Sequence, residues 1–186
     1  MLEKLLKFIA RALDRGSIPY MVIGGQAAVL YGEPRFTRDI DLTLGVGVEA
    51  VEKIAGIIKK LGFRILAKDY KAFVQKTMVL PAEDPKSGMR IDFIFSYSPY
   101  EMQAIKHAKI FKFGGTIVKF ASLEDVVIHK IIAGRPRDIE DIKAILLKNP
   151  KFDKRYIKEW LKEFDVSLDE SFLSAFEKLL KQVFSS

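Results

Sequence analysis

The sequence predicts an α/β (α+β) protein, a mixed β-sheet flanked by helices and followed by a C-terminal helical section. Three observations predict it. The chain opens with apolar residues at helical spacing, strand-type runs then alternate with helices as far as residue 120, and from Ser122 onwards the pattern is helical to the end. The expected division is a core over residues 1–120 and a helical section over 121–186 that packs on it.

Leu2, Leu5, Leu6, Ile9 and Leu13 share one helical face, and the helix should stop near Gly16. Tyr20–Ile23 is a short apolar strand ending in Gly24-Gly25, and residues 26–31 continue as a helical turn of small residues. A charged loop through Arg35 and Arg38 leads to Asp39–Leu44, which alternates polar and apolar as a half-buried strand does. Residues 48–61 form one amphipathic helix ended by Gly62. Residues 63–66 and 73–80 read as strands, 81–88 as an exposed loop of turn formers, and Met89–Phe95 and Thr116–Phe120 as strands again. Ser122, with Asp125 three residues on, is a good N-cap, and Gly134/Pro136 and Asn149/Pro150 break the helices that follow. The aromatic residues from Trp160 to Phe176 lie at helical spacing, which is the pattern of core.

Composition removes several classes of function. The chain has 186 residues and no cysteine, so it has no disulfide framework, thiolate zinc site or cysteine nucleophile. Metals would be held by carboxylates or by His107 and His129. The longest apolar run, 20–31, is broken by Gly24, Gly25 and Gln26 and falls short of the ~20 residues a membrane span needs. Glu3, Lys4, Lys7 and Arg11 interrupt the N-terminal segment, which is therefore no signal peptide, and a soluble, cytoplasmic protein without membrane partners is expected. The net charge of +7 lies entirely in residues 1–120, with 19 Lys+Arg against 12 Asp+Glu, while 121–186 hold 12 of each. Such a field suits an anionic partner such as nucleotide, and equally a lysine-rich solvated surface. One asparagine beside many charges is the composition of a heat-adapted, thermophile protein.

Side chains two apart on a strand share a face, so Asp39 and Asp41 stand together while Ile40, Leu42 and Leu44 face the core. Two carboxylates this close repel unless a cation sits between them, and Mg²⁺ with substrate phosphates is the usual solution; a solvated acidic edge is the alternative. Asp92 is a lone carboxylate between Ile91 and Phe93, costly to bury unless paired with Arg90 or bound to a metal. Beside Asp39 and Asp41 it would complete a three-carboxylate set suited to phosphoryl transfer. Gly24-Gly25 between strand and helix let backbone N–H groups approach phosphate, or simply make a tight turn.

The combination of Gly24-Gly25, Asp39-Ile-Asp41 and Asp92 resembles the DNA polymerase β-like nucleotidyltransferase superfamily. The segments at 23–28, 35–41 and 130–141 are similar to minimal members related to AbiEii-type toxins, the likeness running over roughly 18–147. The resemblance implies the nucleotidyltransferase fold, Asp39 and Asp41 holding Mg²⁺ (Mn²⁺ as substitute), Asp92 completing the metal site near the acceptor hydroxyl as third carboxylate and base, and Gly24 and Gly25 against the triphosphate. Gln26 departs from the pattern, where Ser or Gly often follows the glycine pair. Lys130, set among apolar helical residues, reaches either the phosphates by resemblance or the solvent by snorkelling. Arg38 and Thr37 contact phosphate or cap the loop. Asp138 and Asp141, one turn apart and near Arg135 and Arg137, face the site or form surface pairs, and His129 is a packing histidine.

The expected function is a Mg-dependent, ATP- or other NTP-using nucleotidyltransferase that moves a nucleoside monophosphate to an acceptor hydroxyl on RNA, protein or a small molecule and releases pyrophosphate. A metal-dependent sugar-nucleotide glycosyltransferase and a catalytically silent nucleotide-binding or antitoxin-like module are the alternatives, and a homodimer or a cognate antitoxin are the candidate partners.

Overall fold

The computed structural model of the chain describes residues 2–34, 36–96 and 98–184. Arg35, expected in the loop before the first carboxylate, lies outside the described residues. Among the described residues there are nine α-helices, seven β-strands and one 3-10 turn. They divide into two compact units: residues up to Gln26 with Phe36–Ala121, and the segment from Ala27 to the loop before Phe36 with the chain from Ser122 onwards. The second unit thus takes a segment from within 1–120, which the expected boundary near 121 did not include.

The first unit is built on a mixed sheet of order β3-β4-β5-β2-β1-β7-β6. Its strands are β1 (Tyr20–Ile23), β2 (Asp39–Leu44), β3 (Arg64–Ile65), β4 (Val79–Asp84), β5 (Met89–Phe95), β6 (Lys109–Phe113) and β7 (Thr116–Phe120). β2 runs antiparallel to β1 and parallel to β5. Alternation along these central strands sends Ile40, Leu42, Leu44, Ile91, Phe93 and Phe95 to one face, where all are fully buried. Each such burial contributes about 1.5–3 kcal/mol. The residue that follows α1 (Leu2–Arg15) stands against α3 (Val51–Lys60): a Cβ at Gly16 would lie 3.0 Å from Ile57 Cδ1. Arg11 of α1 donates to the Thr116 hydroxyl at 2.7 Å, holding the helix on β7. The opposite face carries Asp39, Asp41 and Asp92.

Two expectations need correction. Residues 73–80 are not one strand: Asp69 caps α4 (Tyr70–Thr77) by accepting from the Ala72 amide, and Met78 ends the helix at φ +59°. The loop expected at 81–88 is strand as far as Asp84, with a turn only after it. Pro81 fits there because its carbonyl accepts from Leu66 N–H at 2.9 Å and the adjacent β3 is only two residues long. α5 (Pro99–His107), capped by Ser98, and β6 were not anticipated.

In the second unit, α6 (Leu123–Ala133) is capped by Ser122 as expected and ends at Gly134, φ +61°. Pro136 opens α7 (Pro136–Lys148), and α8 (Lys154–Leu168) and α9 (Phe172–Phe184) follow. The C-terminal part of α2 (Gly24–Tyr31) belongs here: Asn149 Nδ2 donates to the Tyr31 and Ile145 carbonyls, both at 2.8 Å. Among the described residues no helix is long and apolar enough to cross a membrane.

Candidate active site

The site starts at the turn from β1 to α2. Gly24 has φ +64°, a left-handed conformation that favours glycine. Space imposes the same choice, because a Cβ on Gly24 would lie 3.1 Å from Asp41 Cγ and closer still to Oδ2. Ile23 is the register partner of Asp41, so the carboxylate of Asp41 lies over the first turn of α2.

Across the parallel pair, Asp41 is opposite Asp92 and Asp39 is opposite Arg90. Neighbouring strands lie about 4.8 Å apart, so Asp41 and Asp92 are side by side on one face, with Asp39 one step along it. Asp39 is exposed, Asp41 and Asp92 half-buried. The ion pair offered as the alternative explanation of Asp92 is also present: Arg90 Nε donates to Asp92 Oδ1 at 2.9 Å. That hydrogen bond, against some desolvation, and the attraction of Asp92, Asp41 and Asp39 raise the Arg90 pKa further above its ordinary value. Among the described residues, no three carboxylates or imidazoles are gathered as a ready metal-binding group.

Gln26, read from the sequence only as a lost hydroxyl, has a structural task. Its buried side-chain amide donates to the Thr37 hydroxyl and, at 3.1 Å, to the Asp39 carbonyl. The first turn of α2 is thereby tied to the loop that delivers the carboxylate strand. Thr37 is engaged in this way, while Arg38 is exposed immediately before Asp39.

Lys130 belongs to the other unit. Its side chain is 6% exposed and does not snorkel; Nζ donates to Asp138 Oδ1 and Asp141 Oδ2, each at 2.7 Å. Asp138 and Asp141 are 14% and 15% exposed, so these are nearly buried pairs rather than surface ones. The same unit holds a carboxylate that the sequence reading treated only as part of a cap. Asp125 is fully buried and accepts from the Ser122 hydroxyl at 2.6 Å and the Tyr156 hydroxyl at 2.9 Å. Burial, then the charge of Asp125 and this bond, push the Tyr156 pKa well up.

The chain belongs to the family described as "Nucleotidyl transferase AbiEii toxin, Type IV TA system", whose model matches residues 10–182. No curated protein matches the chain. Among solved structures, its fold is similar to an antigenic nucleotidyltransferase-like protein from Paracoccidioides brasiliensis, with TM-score 0.58 and 18% identity over 100% of this chain and 97% of the other. ANT(2")-Ia in complex with adenylyl-2"-tobramycin has TM-score 0.55 and 21% identity over 78% of this chain and 87% of its own. The lincosamide antibiotic adenylyltransferase LnuA, lincomycin-bound, has TM-score 0.54 and 15% identity over 76% of this chain and 94% of its own.

Proposed function

We propose that the chain transfers a nucleoside monophosphate from an NTP to an acceptor hydroxyl with release of pyrophosphate, with a divalent ion held by Asp39 and Asp41 and completed by Asp92. The observation that carries this reading is the register of Asp41 against Asp92 with Gly24 packed on the Asp41 carboxylate. The donor set fits the ion: like-charged oxygens brought side by side on a rigid sheet are the hard ligands that Mg²⁺ prefers. A bound divalent ion supplies charge neutralisation at the reacting phosphate.

The chain's own groups divide the remaining work along the sheet. Backbone N–H groups of Gly24 and Gly25, at the positive end of α2, orient the triphosphate. Asp92, on the far side of Asp41, accepts the proton of the acceptor hydroxyl. That oxygen bonds to the α-phosphorus as the bond to the bridging oxygen breaks, and pyrophosphate leaves. Arg38, exposed immediately before Asp39, serves the phosphates in this reading.

Beyond Asp92 the same face reaches Pro81, its register partner, and a cavity of about 340 Å³ lined by Leu66, Lys68, Asp69, Phe73, Pro81 and Arg90. This is the acceptor side. A toxin of this family would then act by capping the acceptor hydroxyl. The test is incubation with each α-labelled NTP, Mg²⁺ and panels of RNA, protein and aminoglycoside. Pyrophosphate release with label on one class, lost in Asp41→Asn, is expected; nucleotide binding without release in any panel would favour the silent module.

A further inference from the structure

We propose that Arg90 is the resident counter-ion of the carboxylate face, a guanidinium that a divalent cation must displace from Asp92 before the site is loaded. The inference rests on the reading of Asp39, Asp41 and Asp92 as metal ligands.

Arg90 has the right position for this. It precedes Asp92 by two residues on β5, so both side chains leave the same face of the sheet, and it is the register partner of Asp39. Its Nε bonds Asp92 Oδ1, taking one of the oxygens that a metal would use. The charges of Asp92, Asp41 and Asp39 all act on it. With no cation the three carboxylates would repel one another, and a guanidinium, charged at every relevant pH, offsets that repulsion.

It also has the right burial. Lys130 is enclosed between Asp138 and Asp141, and Arg90 is not. Arg90 is 56% exposed while Asp92 is 18% exposed, so the guanidinium reaches inward from solvent and leaves without opening the core. An ion pair with one partner this exposed is weak enough to exchange. Arg90 also lines the cavity beside Pro81, Lys68 and Asp69, so the exchange needs only rotation of its own side chain. The consequence is conditional loading: the nucleotide-free site binds divalent ions poorly, and the negative triphosphate brings the ion in.

The experiment is Mn²⁺ binding to nucleotide-free protein, read from the electron paramagnetic resonance signal of free Mn²⁺, for wild type, Arg90→Gln, Arg90→Lys and each combined with Asp41→Asn. Arg90→Gln is expected to bind about tenfold more tightly than wild type, the order for removing one unit charge a few ångströms from a divalent ion in a high-dielectric setting. Arg90→Lys keeps the charge and should stay within about twofold of wild type. The gain should shrink as salt is raised and vanish with Asp41→Asn. A metal-free thermal midpoint lower in Arg90→Gln than in wild type, restored by Mn²⁺, gives a second readout. Equal or weaker Mn²⁺ binding by Arg90→Gln, with Asp41→Asn still abolishing it, overturns the role of Arg90 and leaves the metal site standing. Binding indifferent to Asp41→Asn, or no binding by any variant, overturns the metal-site reading and this inference with it.

Discussion

The carboxylate of Asp41 occupies the space that a side chain at Gly24 would need. Glycine is therefore required twice over, once by the contact and once by φ +64°. Gly24→Ala is expected to cost at least about 1–2 kcal/mol from the left-handed backbone alone and to push Asp41 off its place beside Asp92. Urea unfolding measures the first effect. Loss of the nucleotide-induced thermal shift measures the second. Gly25, whose φ is not positive, carries no such backbone cost.

Nucleotide with Mg²⁺ should raise the melting temperature, because a ligand that binds only the folded chain stabilises it by roughly 2.7 kcal/mol at a hundredfold excess over Kd. Asp39→Ala, at an exposed position, should stay folded and lose the shift. An undiminished shift in that variant would put the nucleotide elsewhere.

Lys130→Met has a different expected outcome from the one its sequence context suggests. A lysine at the phosphates would cost rate alone, and a snorkelling lysine would cost under about 1 kcal/mol. The observed lysine neutralises two nearly buried carboxylates. Removing it strands both, and breaking such a pair costs about 3–5 kcal/mol. Chemical denaturation of Lys130→Met beside the triple variant with Asp138→Asn and Asp141→Asn checks this: the triple variant should recover much of the loss.

Tyr156→Phe removes a hydrogen bond to the fully buried carboxylate of Asp125. A bond to a charged group is worth about 1.5–3 kcal/mol, so the thermal midpoint should drop clearly while the Ser122 bond keeps Asp125 partly satisfied. A midpoint within a degree of wild type would mean that another donor replaces the phenol.

The parts of the site that repeat a local rule were legible in the sequence. Asp39-Ile-Asp-Leu-Thr-Leu44 alternates, Gly24-Gly25 punctuates a strand, and Asp92 interrupts an apolar run. Register was not legible, since nothing local states that Asp41 would stand opposite Asp92 rather than one residue away on the other face. Residues 70–77 misled because Phe73 and Val74 read as strand, whereas the cap at Asp69 decides for helix. The task of Gln26 depends on a loop eleven residues on, and the partners of Lys130 on a helix that folds back beside it. Spacing along the chain does not contain these distances.

The segment that follows Gln26 has its structural partners far along the chain: Tyr31 is bonded by Asn149, 118 residues later, and Gly32 lies 3.1 Å, at its missing Cβ, from Ile145. During synthesis at about 5–20 residues per second, this stretch waits roughly 6 to 24 seconds for the helix that covers it. Strands β2 to β7 of the first unit are all made within that interval. A ribosome-bound chain stopped after Ala121 would thus carry β1, β2 and β5 with their carboxylates but leave residues 27–34 uncovered. Excising the helical unit as a contiguous fragment from Ser122 would omit the same residues. The two units are separate as clusters and yet inseparable as lengths of polypeptide.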